Sequence, residues 1–291
     1  MSTELDRRLH PYRDDLAAES LKGEVKAPRY VPGRRHQVAA GIAALRHAPD
    51  PGAEQASELH YGETFTVYDE RDGWSWGQAE FDGYVGYVDS RLLSRRPFTP
   101  THVVRDLRAF VTPRPDWKAP PVDHLSMNAK VAVADTDGEY SRLSTGEWVF
   151  SHHLVPREHV EPDYVATAKR LVGVPYLWGG RSTLGLDCSG LVQTVLERAG
   201  MSVRRDSDMQ AATLGFALDH LDVSRLERGD FVFWPGHVAI AVSRTEIVHA
   251  NGLDMMVSVH PVAAAVARYA AEKGLRITCL RRLERASPKT A

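Results

Sequence analysis

Apolar and polar residues alternate with a period of two in three short segments of the N-terminal half, and this alternation predicts β-strands. The segments are residues 65–68, 74–77 and 84–88. Asp-Gly pairs at 72–73 and 82–83 separate them, and Asp-Gly is a strong signal for a tight turn between strands. The pattern therefore predicts a small antiparallel barrel or sandwich.

A weaker copy of the same pattern follows, with strand-like segments at 132–135, 137–143 and 145–150. The order of strands and Asp-Gly turns resembles that of a bacterial SH3 domain. On this resemblance we expect two small SH3-like β-barrels, the first over residues 36–96 and a second, degenerate one over 97–160. Neither carries an active-site pattern of its own, so both are expected to bind or position another group.

The pattern changes at both ends of this region. Residues 1–35 are charged and poorly periodic, which predicts an N-terminal surface arm without a catalytic role. After residue 160 a helical period appears, with one helix capped by Asp163 and a second that begins at Cys188 and ends at Gly200. Strand candidates then lie at 230–234, 237–242, 246–250 and 277–283, with a helix at 261–273 before the last of them. This order predicts an α+β domain over 161–291.

Composition and charge narrow the class of protein. The chain has 291 residues, of which 43% are hydrophobic and 25% charged, as in ordinary globular proteins. The formal net charge of −2 argues against nucleic acid or a polybasic membrane contact as the partner. No stretch of 18 uncharged apolar residues occurs, so we expect no membrane-spanning helix.

The N-terminus and the cysteine count indicate a compartment. The first ten residues, Met1 to His10, lack an apolar core of signal-peptide length. The two cysteines, Cys188 and Cys279, can form at most one disulfide, so no disulfide framework is expected. We therefore expect a cytoplasmic protein, in which thiols stay reduced.

Cys188 is the candidate nucleophile because it begins a predicted helix. Backbone N–H groups and the positive end of the helix dipole favour a thiolate there and are expected to lower the pKa of the thiol. The alternative is a buried core cysteine, since cysteine is often buried. We expect that structural role for Cys279, which lies within a predicted strand.

His237 and His249 are the candidate base and its partner. With a turn at 243–245, we expect the two residues to lie directly opposite each other on neighbouring strands, where one imidazole can orient the other. Structural histidines are the alternative. The sequence contains no CxxC, HxxH or HExxH spacing and no phosphate-binding loop, so we expect neither a metal nor a cofactor.

Five motifs together resemble the NlpC-type cell-wall cysteine peptidases, over about residues 165–285. In chain order they are YLWGGRSTLGLDCSGLVQTVLERAG, RRDSDMQ, LERGDFVFW, GHVAIAV and IVHAN. With the SH3-like segments upstream, the arrangement is similar to the γ-D-glutamyl-L-diamino acid endopeptidases of that family. The resemblance implies a papain-like α+β catalytic domain, with Cys188 as nucleophile, His237 as base and His249 as the residue that orients the base.

The same resemblance implies a site for the free N-terminal amine of the substrate. Asp187 and Ser207 occupy the matching motif positions. In that subgroup the first SH3-like domain contributes a tyrosine and an acidic residue. We assign the tyrosine to Tyr84, which strand alternation places opposite to Val85 as an exposed aromatic. For the acidic residue Glu58 is favoured over two other glutamates, Glu54 and Glu63.

The expected function is therefore hydrolysis of the amide between γ-D-glutamate and the diamino acid, diaminopimelate or lysine, in small murein peptides. A cytoplasmic enzyme of this kind meets released peptides rather than the polymerised wall, which favours a role in recycling. Two alternatives stay open at this point. The same Cys-His-His set can serve an amidase or an acyltransferase, and the protein can be a wall-peptide-binding module without activity.

Overall fold

The computed structural model describes residues 5–284 and consists of two compact units. The first unit comprises residues 1–160 together with 178–184, and the second comprises 161–177 and 185–291. The secondary structure is mixed α and β. The domain boundaries expected at 35/36, 96/97 and 160/161 stay predictions.

The N-terminal segment belongs to the first unit and packs against its strands. It forms the parallel pair β1 (Ala17–Ala18) and β2 (Tyr30–Val31), and Val85 N–H donates a hydrogen bond to the Arg8 carbonyl at 2.8 Å. Its buried side chains include Tyr12, Leu16, Ala17, Ala18 and Leu21. The expected surface arm is therefore in part a packed segment. Its few apolar residues meet the sheet without a regular period, so the sequence pattern does not reveal them.

The SH3-like region of residues 36–96 corresponds to one antiparallel sheet of seven strands, in the order β5-β4-β8-β7-β6-β3-β9. Its strands are β3 (Arg34–Val38), β4 (Ile42–Arg46), β5 (Gln55–His60), β6 (Thr64–Arg71), β7 (Trp74–Ala79), β8 (Val85–Asp89) and β9 (Leu93–Ser94). The three strands predicted from alternation are β6, β7 and β8, which confirms that prediction.

The prediction of a closed barrel is wrong for this sheet. β5 and β9 end the hydrogen-bonded order and do not pair with each other. The segment 178–184 binds instead at β5. The Glu58 carboxylate accepts a hydrogen bond from Arg181 N–H at 2.9 Å, and His60 Nε2–H donates to the Arg181 carbonyl at 3.0 Å. Side chains of this edge strand thus hold a neighbouring segment, one way to protect an open sheet edge.

The region of residues 97–160 contains two further open sheets, β13-β10-β17 and β12-β11-β16-β15-β14, so here too no closed barrel forms. The strands are β10 (His102–Val104), β11 (Arg108–Thr112), β12 (Asp123–Ser126), β13 (Lys130–Val131), β14 (Val133–Asp137), β15 (Tyr140–Leu143), β16 (Trp148–Phe150) and β17 (Leu154–Pro156). Their inward-facing side chains form one apolar cluster that includes Leu125, Val131 and Val149, each without exposed surface.

Arg181 is the most deeply buried cation of the first unit. It begins β18 (Arg181–Ser182) and is 0% exposed. Nη1 and Nη2 donate to the Glu63 carboxylate at 3.1 and 2.8 Å, and the guanidinium lies over the Phe81 ring at 4.4 Å. The loop before it approaches β5 closely, since a Cβ at Gly179 would lie 2.5 Å from the Gln55 carbonyl oxygen.

The second unit combines four helices with a six-stranded sheet of order β20-β25-β21-β22-β23-β24. The helices are α1 (Tyr164–Arg170), α2 (Cys188–Arg198), α3 (Ser207–Thr213) and α4 (Val262–Lys273). The six strands of the sheet are β20 (Phe216–Ala217), β21 (Phe231–Trp234), β22 (His237–Ala241), β23 (Glu246–Asn251), β24 (Met256–Pro261) and β25 (Cys279–Arg282), and the short strand β19 (Gly185–Leu186) is not part of it.

Local sequence signals explain most of these elements. The Asp163 carboxylate accepts from Ala166 N–H at 3.0 Å and caps α1, and Gly274 ends α4 in the left-handed region at a φ of 67°. The helices predicted after Asp163, at Cys188 and at 261–273 are confirmed, as are four strands. Strand β24 was not predicted, although residues 257–260 alternate in the order Val-Ser-Val-His.

Within residues 5–284, no helix has both the length and the apolar character needed to cross a lipid bilayer.

Replacement of Arg181 by methionine is expected to destabilise the first unit by about 3–5 kcal/mol, because the substitution leaves the buried Glu63 carboxylate without its main partner. Burial raises the pKa of Glu63, but Arg181 and Lys130 outweigh burial and hold that pKa below its usual range. Chemical denaturation followed by fluorescence measures the change in the free energy of unfolding.

The matched control is Arg35→Met, which removes the bidentate pair of Arg35 with Glu80 on the surface of the same unit. Exposed pairs contribute at most about 1 kcal/mol, so this variant should unfold close to the parent protein. Equal losses of stability in the two variants would contradict the assignment of Arg181 as the buried cation that organises this region.

Candidate active site

Cys188 is the first residue of α2 and is 6% exposed. The helix begins there because Asp187 caps it. Its Oδ1 accepts hydrogen bonds from Gly190 N–H at 2.7 Å and from the Ser189 hydroxyl at 3.2 Å. The helix contacts β22 and β23, and its apolar side chains Leu191, Val192, Val195 and Leu196 are buried. The thiol is therefore fixed on a rigid, well-packed element.

The start of β22 lies beside the thiol. The sulfur of Cys188 is 3.9 Å from the Gly236 carbonyl oxygen, to which the S–H donates, and it accepts a hydrogen bond from Val238 N–H. Gly236 has a φ of 72°, so the turn before the strand uses a conformation that favours glycine. The Gly236 carbonyl and Val238 N–H lie on either side of His237 in the chain, and both contact the sulfur. His237 is therefore placed next to the Cys188 thiol.

The thiol is protonated in the resting protein. Burial raises the pKa of Cys188 to about 12, and the nearby Asp187 carboxylate adds to the increase. N–H groups of Val238 and Ser189 and the Arg205 guanidinium act in the opposite direction but do not compensate. The sequence-based expectation of a lowered pKa at the helix N-terminus is therefore wrong, because the loss of water around the sulfur outweighs the helix dipole.

His237 and His249 are brought together as the sequence predicts, but in a different register. Nε2 of His237 lies 2.9 Å from Nδ1 of His249. The ladder pairs Ile240 with Val248 and Ala241 with Ile247, and its extension places position 239 opposite His249. The predicted direct opposition is thus wrong. His237 lies on the same face two residues away, and its ring reaches the diagonal neighbour.

Both imidazoles are neutral at physiological pH. Burial, followed by the neighbouring His249, lowers the pKa of His237 well below its ordinary value. Burial also lowers the pKa of His249 to about 3, with a further contribution from His260. A neutral thiol thus lies beside a neutral imidazole, an arrangement that suits proton transfer during attack rather than a preformed ion pair.

Further polar side chains extend this set beyond the two histidines. The Tyr269 hydroxyl of α4 is 3.0 Å from His237 Nε2, and the two rings stack at 4.7 Å between their centroids. His260 Nδ1 lies 3.0 Å from His249 Nε2, and His260 Nε2 lies 3.1 Å from Asp254 Oδ2. Hydrogen bonds therefore connect His237 through two more histidines to a carboxylate.

Three further residues, His260, Tyr269 and Tyr176, were not predicted from the sequence. Burial and the neighbouring Cys188 raise the pKa of both tyrosines, which places their hydroxyls in the surroundings of the thiol. The alternating segment that becomes β24 was the available signal for His260. Tyr269 lies within a helix predicted only by its apolar period, and nothing in that pattern distinguishes it from a core residue.

Asp187 forms a buried ion pair with Arg205, whose side chain is 1% exposed. Nη1 of Arg205 donates to Asp187 Oδ1 at 3.0 Å and to the Ser189 hydroxyl at 2.8 Å, and Nη2 donates to Oδ2. Ser207 begins α3 and is half-buried. The expected contact of Asp187 and Ser207 with a substrate amine stays a prediction.

Glu58 and Tyr84 belong to the first unit. Glu58 is 4% exposed, and its carboxylate binds the Arg181 backbone N–H. Tyr84 is 3% exposed, and its neighbour Val85 is also buried, so the expectation of an exposed aromatic side chain is wrong. Strand alternation does not apply there because β8 begins only at Val85, and Tyr84 lies in the loop before it. Substrate contacts of Glu58 and Tyr84 stay predictions.

His60 and Glu63 are buried residues of the first unit that could supply metal ligands, but both are committed to other partners. His60 Nε2–H donates to the Arg181 carbonyl, and the Glu63 carboxylate accepts from Arg181 and from Lys130, the latter at 3.3 Å. A metal ion would have to displace these bonds.

Comparison with known proteins identifies the domain that carries this site. Residues 173–273 match the model described as the NlpC/P60 family, and residues 45–93 match the model described as the bacterial dipeptidyl-peptidase Sh3 domain. The chain therefore contains an NlpC/P60 domain, which includes Cys188, His237 and His249, preceded by one Sh3 domain of this class. A second SH3-type domain over 97–160 is not shown, since one such match is found.

Curated relatives extend the similarity over most of the chain. The sequence is 29% identical over 238 residues to Dipeptidyl-peptidase 6 of Lysinibacillus sphaericus, covering 74% of this chain and 86% of that protein. It is 33% identical over 191 residues to the Gamma-D-glutamyl-L-lysine dipeptidyl-peptidase of Bacillus subtilis, covering 58% of this chain and 60% of the relative. A Bacillus cereus protein of the latter name is 24% identical over 238 residues, covering 69% of this chain and 68% of that protein.

A solved structure shares the fold. An NlpC/P60 family protein from Bacillus cereus superposes with a TM-score of 0.71 at 20% identity, covering 85% of this chain and 99% of the other. At that identity the similarity establishes the fold and nothing more. The papain-like character expected for the catalytic domain stays a prediction.

Alkylation of Cys188 by iodoacetamide is expected to accelerate continuously with pH and to keep rising beyond about pH 9. An ordinary thiol with a pKa of about 8.5 would level off near that pH. The raised pKa means that the thiolate fraction is small at neutral pH and grows as pH increases. Mass spectrometry of the Cys188 peptide at a series of pH values gives the rate.

The Cys279→Ser variant provides a background with a single thiol, and glutathione under the same conditions provides the reference for an exposed one. A Cys188 rate that is already constant above about pH 7 would contradict the account, because it would mean a preformed thiolate.

Proposed function

We propose that this protein is a cysteine peptidase that hydrolyses the amide between γ-D-glutamate and the diamino acid of murein peptides. The observation that carries the proposal is the buried Cys188 thiol at the start of α2 beside His237, which is hydrogen-bonded to His249, within an NlpC/P60 domain. The names of the Bacillus relatives support the choice of bond.

In this proposal the Cys188 sulfur attacks the γ-carbonyl carbon while His237 accepts the thiol proton. The Cys188 backbone N–H lies in the first turn of α2, where N–H groups lack a partner within the helix, and we assign it to the oxyanion of the tetrahedral intermediate. His237 then gives its proton to the leaving amine. Water, deprotonated by His237, hydrolyses the resulting thioester and releases the dipeptide.

His249 has an orienting role in this sequence of steps. Its Nδ1 lies 2.9 Å from Nε2 of His237 and can accept a hydrogen bond from the imidazolium that forms when His237 takes the thiol proton, which stabilises that cation. Because the pair is buried, that positive charge is costly unless a partner shares it. The contact between His237 and His249 thus serves both the neutral resting state and the charged intermediate.

At the other end of the substrate, we assign the free amine of the N-terminal L-alanine to Asp187 and Ser207. Asp187 precedes the nucleophile in the chain, and Arg205 fixes its carboxylate. Recognition of a free amine favours small peptides over cross-linked wall, which supports a role in the recycling of released peptides. The cytoplasmic location and the contacts of Glu58 and Tyr84 stay predictions.

Incubation with the tripeptide L-Ala-γ-D-Glu-meso-diaminopimelate is expected to release L-Ala-γ-D-Glu and diaminopimelate, detected by mass spectrometry. The lysine analogue, assayed in parallel, shows which diamino acid is preferred. Cys188→Ala should abolish release with both substrates, whereas Cys279→Ser should retain it.

Absence of cleavage under reducing, metal-free conditions would contradict the proposed bond. Release of muramic acid from a muropeptide would instead support the amidase alternative. Binding of the peptide without turnover by the parent protein would support the non-catalytic one.

N-acetylation of the substrate alanine is expected to lower kcat/KM by about 100-fold, because the Asp187 carboxylate then faces a neutral group instead of an ammonium. The ratio of kcat/KM for the free substrate to kcat/KM for the acetylated substrate should shrink in Ser207→Ala. It should not change in the control Ser202→Ala, which alters the exposed loop before α3. Equal turnover of both substrates by the parent protein would rule out recognition of the amine.

A further inference from the structure

The hydrogen bonds that continue from His249 through His260 end at the Asp254 carboxylate, which is held by several side chains. Asp254 Oδ1 accepts from Arg268 at 2.6 Å, and Oδ2 accepts from Asn251 at 3.2 Å and from Ser258 at 3.1 Å. The same Oδ2 lies 3.1 Å from His260 Nε2. These contacts, foremost the bond from Arg268, lower the pKa of Asp254, so the group is a carboxylate at neutral pH.

A carboxylate can only accept, and with a neutral imidazole at His260 this fixes the direction of every bond that follows. His260 must donate from Nε2, so in neutral His260 Nδ1 is an acceptor. His249 then donates from Nε2 to His260 and is left with an acceptor at Nδ1. His237 in turn donates from Nε2 to His249, and its proton-accepting nitrogen is Nδ1.

Nδ1 is also the ring nitrogen of His237 that the reaction requires. It lies nearer to the backbone than Nε2, and the backbone groups on both sides, the Gly236 carbonyl and Val238 N–H, contact the Cys188 sulfur. Nε2 already contacts His249 and Tyr269. The opposite tautomer would direct an N–H toward the thiol and leave no acceptor for its proton.

We propose that Asp254 and His260 are positioning residues that set the tautomer of His249 and, through it, the tautomer of His237 that accepts the proton of Cys188. This inference rests on the proposed function for its catalytic consequence, but the tautomers themselves are a property of the resting protein. Neither residue touches the thiol. They act only through the order of donors and acceptors along the chain of rings.

The test is Asp254→Asn, in which the side-chain amide can donate to His260 Nε2 and so reverse each bond of the chain. Nitrogen-15 NMR of the histidine rings, assigned with His237→Gln, should show His237 protonated at Nε2 in the parent and shifted toward Nδ1 in the variant. Turnover of the tripeptide should fall about 10–100-fold in kcat, with a smaller change in KM.

Arg268→Gln is the matched structural control. It removes the ion pair on Oδ1 and disturbs the same loop, but it leaves the contact of Oδ2 with His260. We expect the parent tautomer and near-parental kcat. If Arg268→Gln loses as much activity as Asp254→Asn while the tautomer is unchanged in both, the role of Asp254 is structural and the proposal is wrong.

A second pair of variants tests His260 itself. His260→Asn keeps an acceptor near the position of Nδ1 and should preserve the tautomers of His249 and His237. His260→Leu removes that acceptor and should give a mixture of tautomers at both rings. Identical ring spectra and equal kcat in the asparagine and leucine variants would overturn the proposal.

Failure of the inference and failure of the proposed function can be told apart. The ring spectra and the rate of Cys188 alkylation need no substrate. If the tautomers shift as described but the parent protein does not cleave the tripeptide, the inference holds and the assigned substrate is wrong. If the tripeptide is cleaved but His237 keeps one tautomer in all variants, the function holds and the inference fails.

Discussion

Removal of water from the surroundings of Cys188 is the constraint on which the rest of the site depends. The sulfur, His237 and His249 are each at most 6% exposed. Burial at this level disfavours every charged form, so it raises the pKa of the thiol and lowers that of both imidazoles. The chemistry must then begin from neutral groups, and a charge can form only where a hydrogen-bonded partner is ready to share it.

The other polar groups of the second unit satisfy this constraint in pairs. Asp187 and Arg205 neutralise each other next to the start of α2, where the carboxylate also caps the helix. Asp254 and Arg268 do the same at the far end of the histidine chain. Both carboxylates are thus compensated, and the buried rings of His237 and His249 are uncharged. This distribution keeps the buried region free of an unpaired charge, whose burial would be strongly destabilising.

Prediction from the sequence succeeds where a signal is local. The Asp-Gly turns, the apolar period of α2 and the caps at Asp163 and Gly274 depend on neighbours in the chain, and these elements form as expected. It fails where a long-range effect decides. The pKa of Cys188 depends on burial by residues far along the chain, and the register of His237 and His249 is shifted by two residues. At the open edge of β5, the side chains of Glu58 and His60 bind the distant Arg181.

The central claim is that the thiol carries its own proton in the resting protein and gives it up only during attack. Infrared difference spectroscopy tests this most directly, through the S–H stretching band in a Cys279→Ser background. The account predicts a band at neutral pH that disappears in Cys188→Ala. No S–H band from Cys188 at neutral pH would contradict it, because the resting site would then hold a thiolate and an imidazolium instead of two neutral groups.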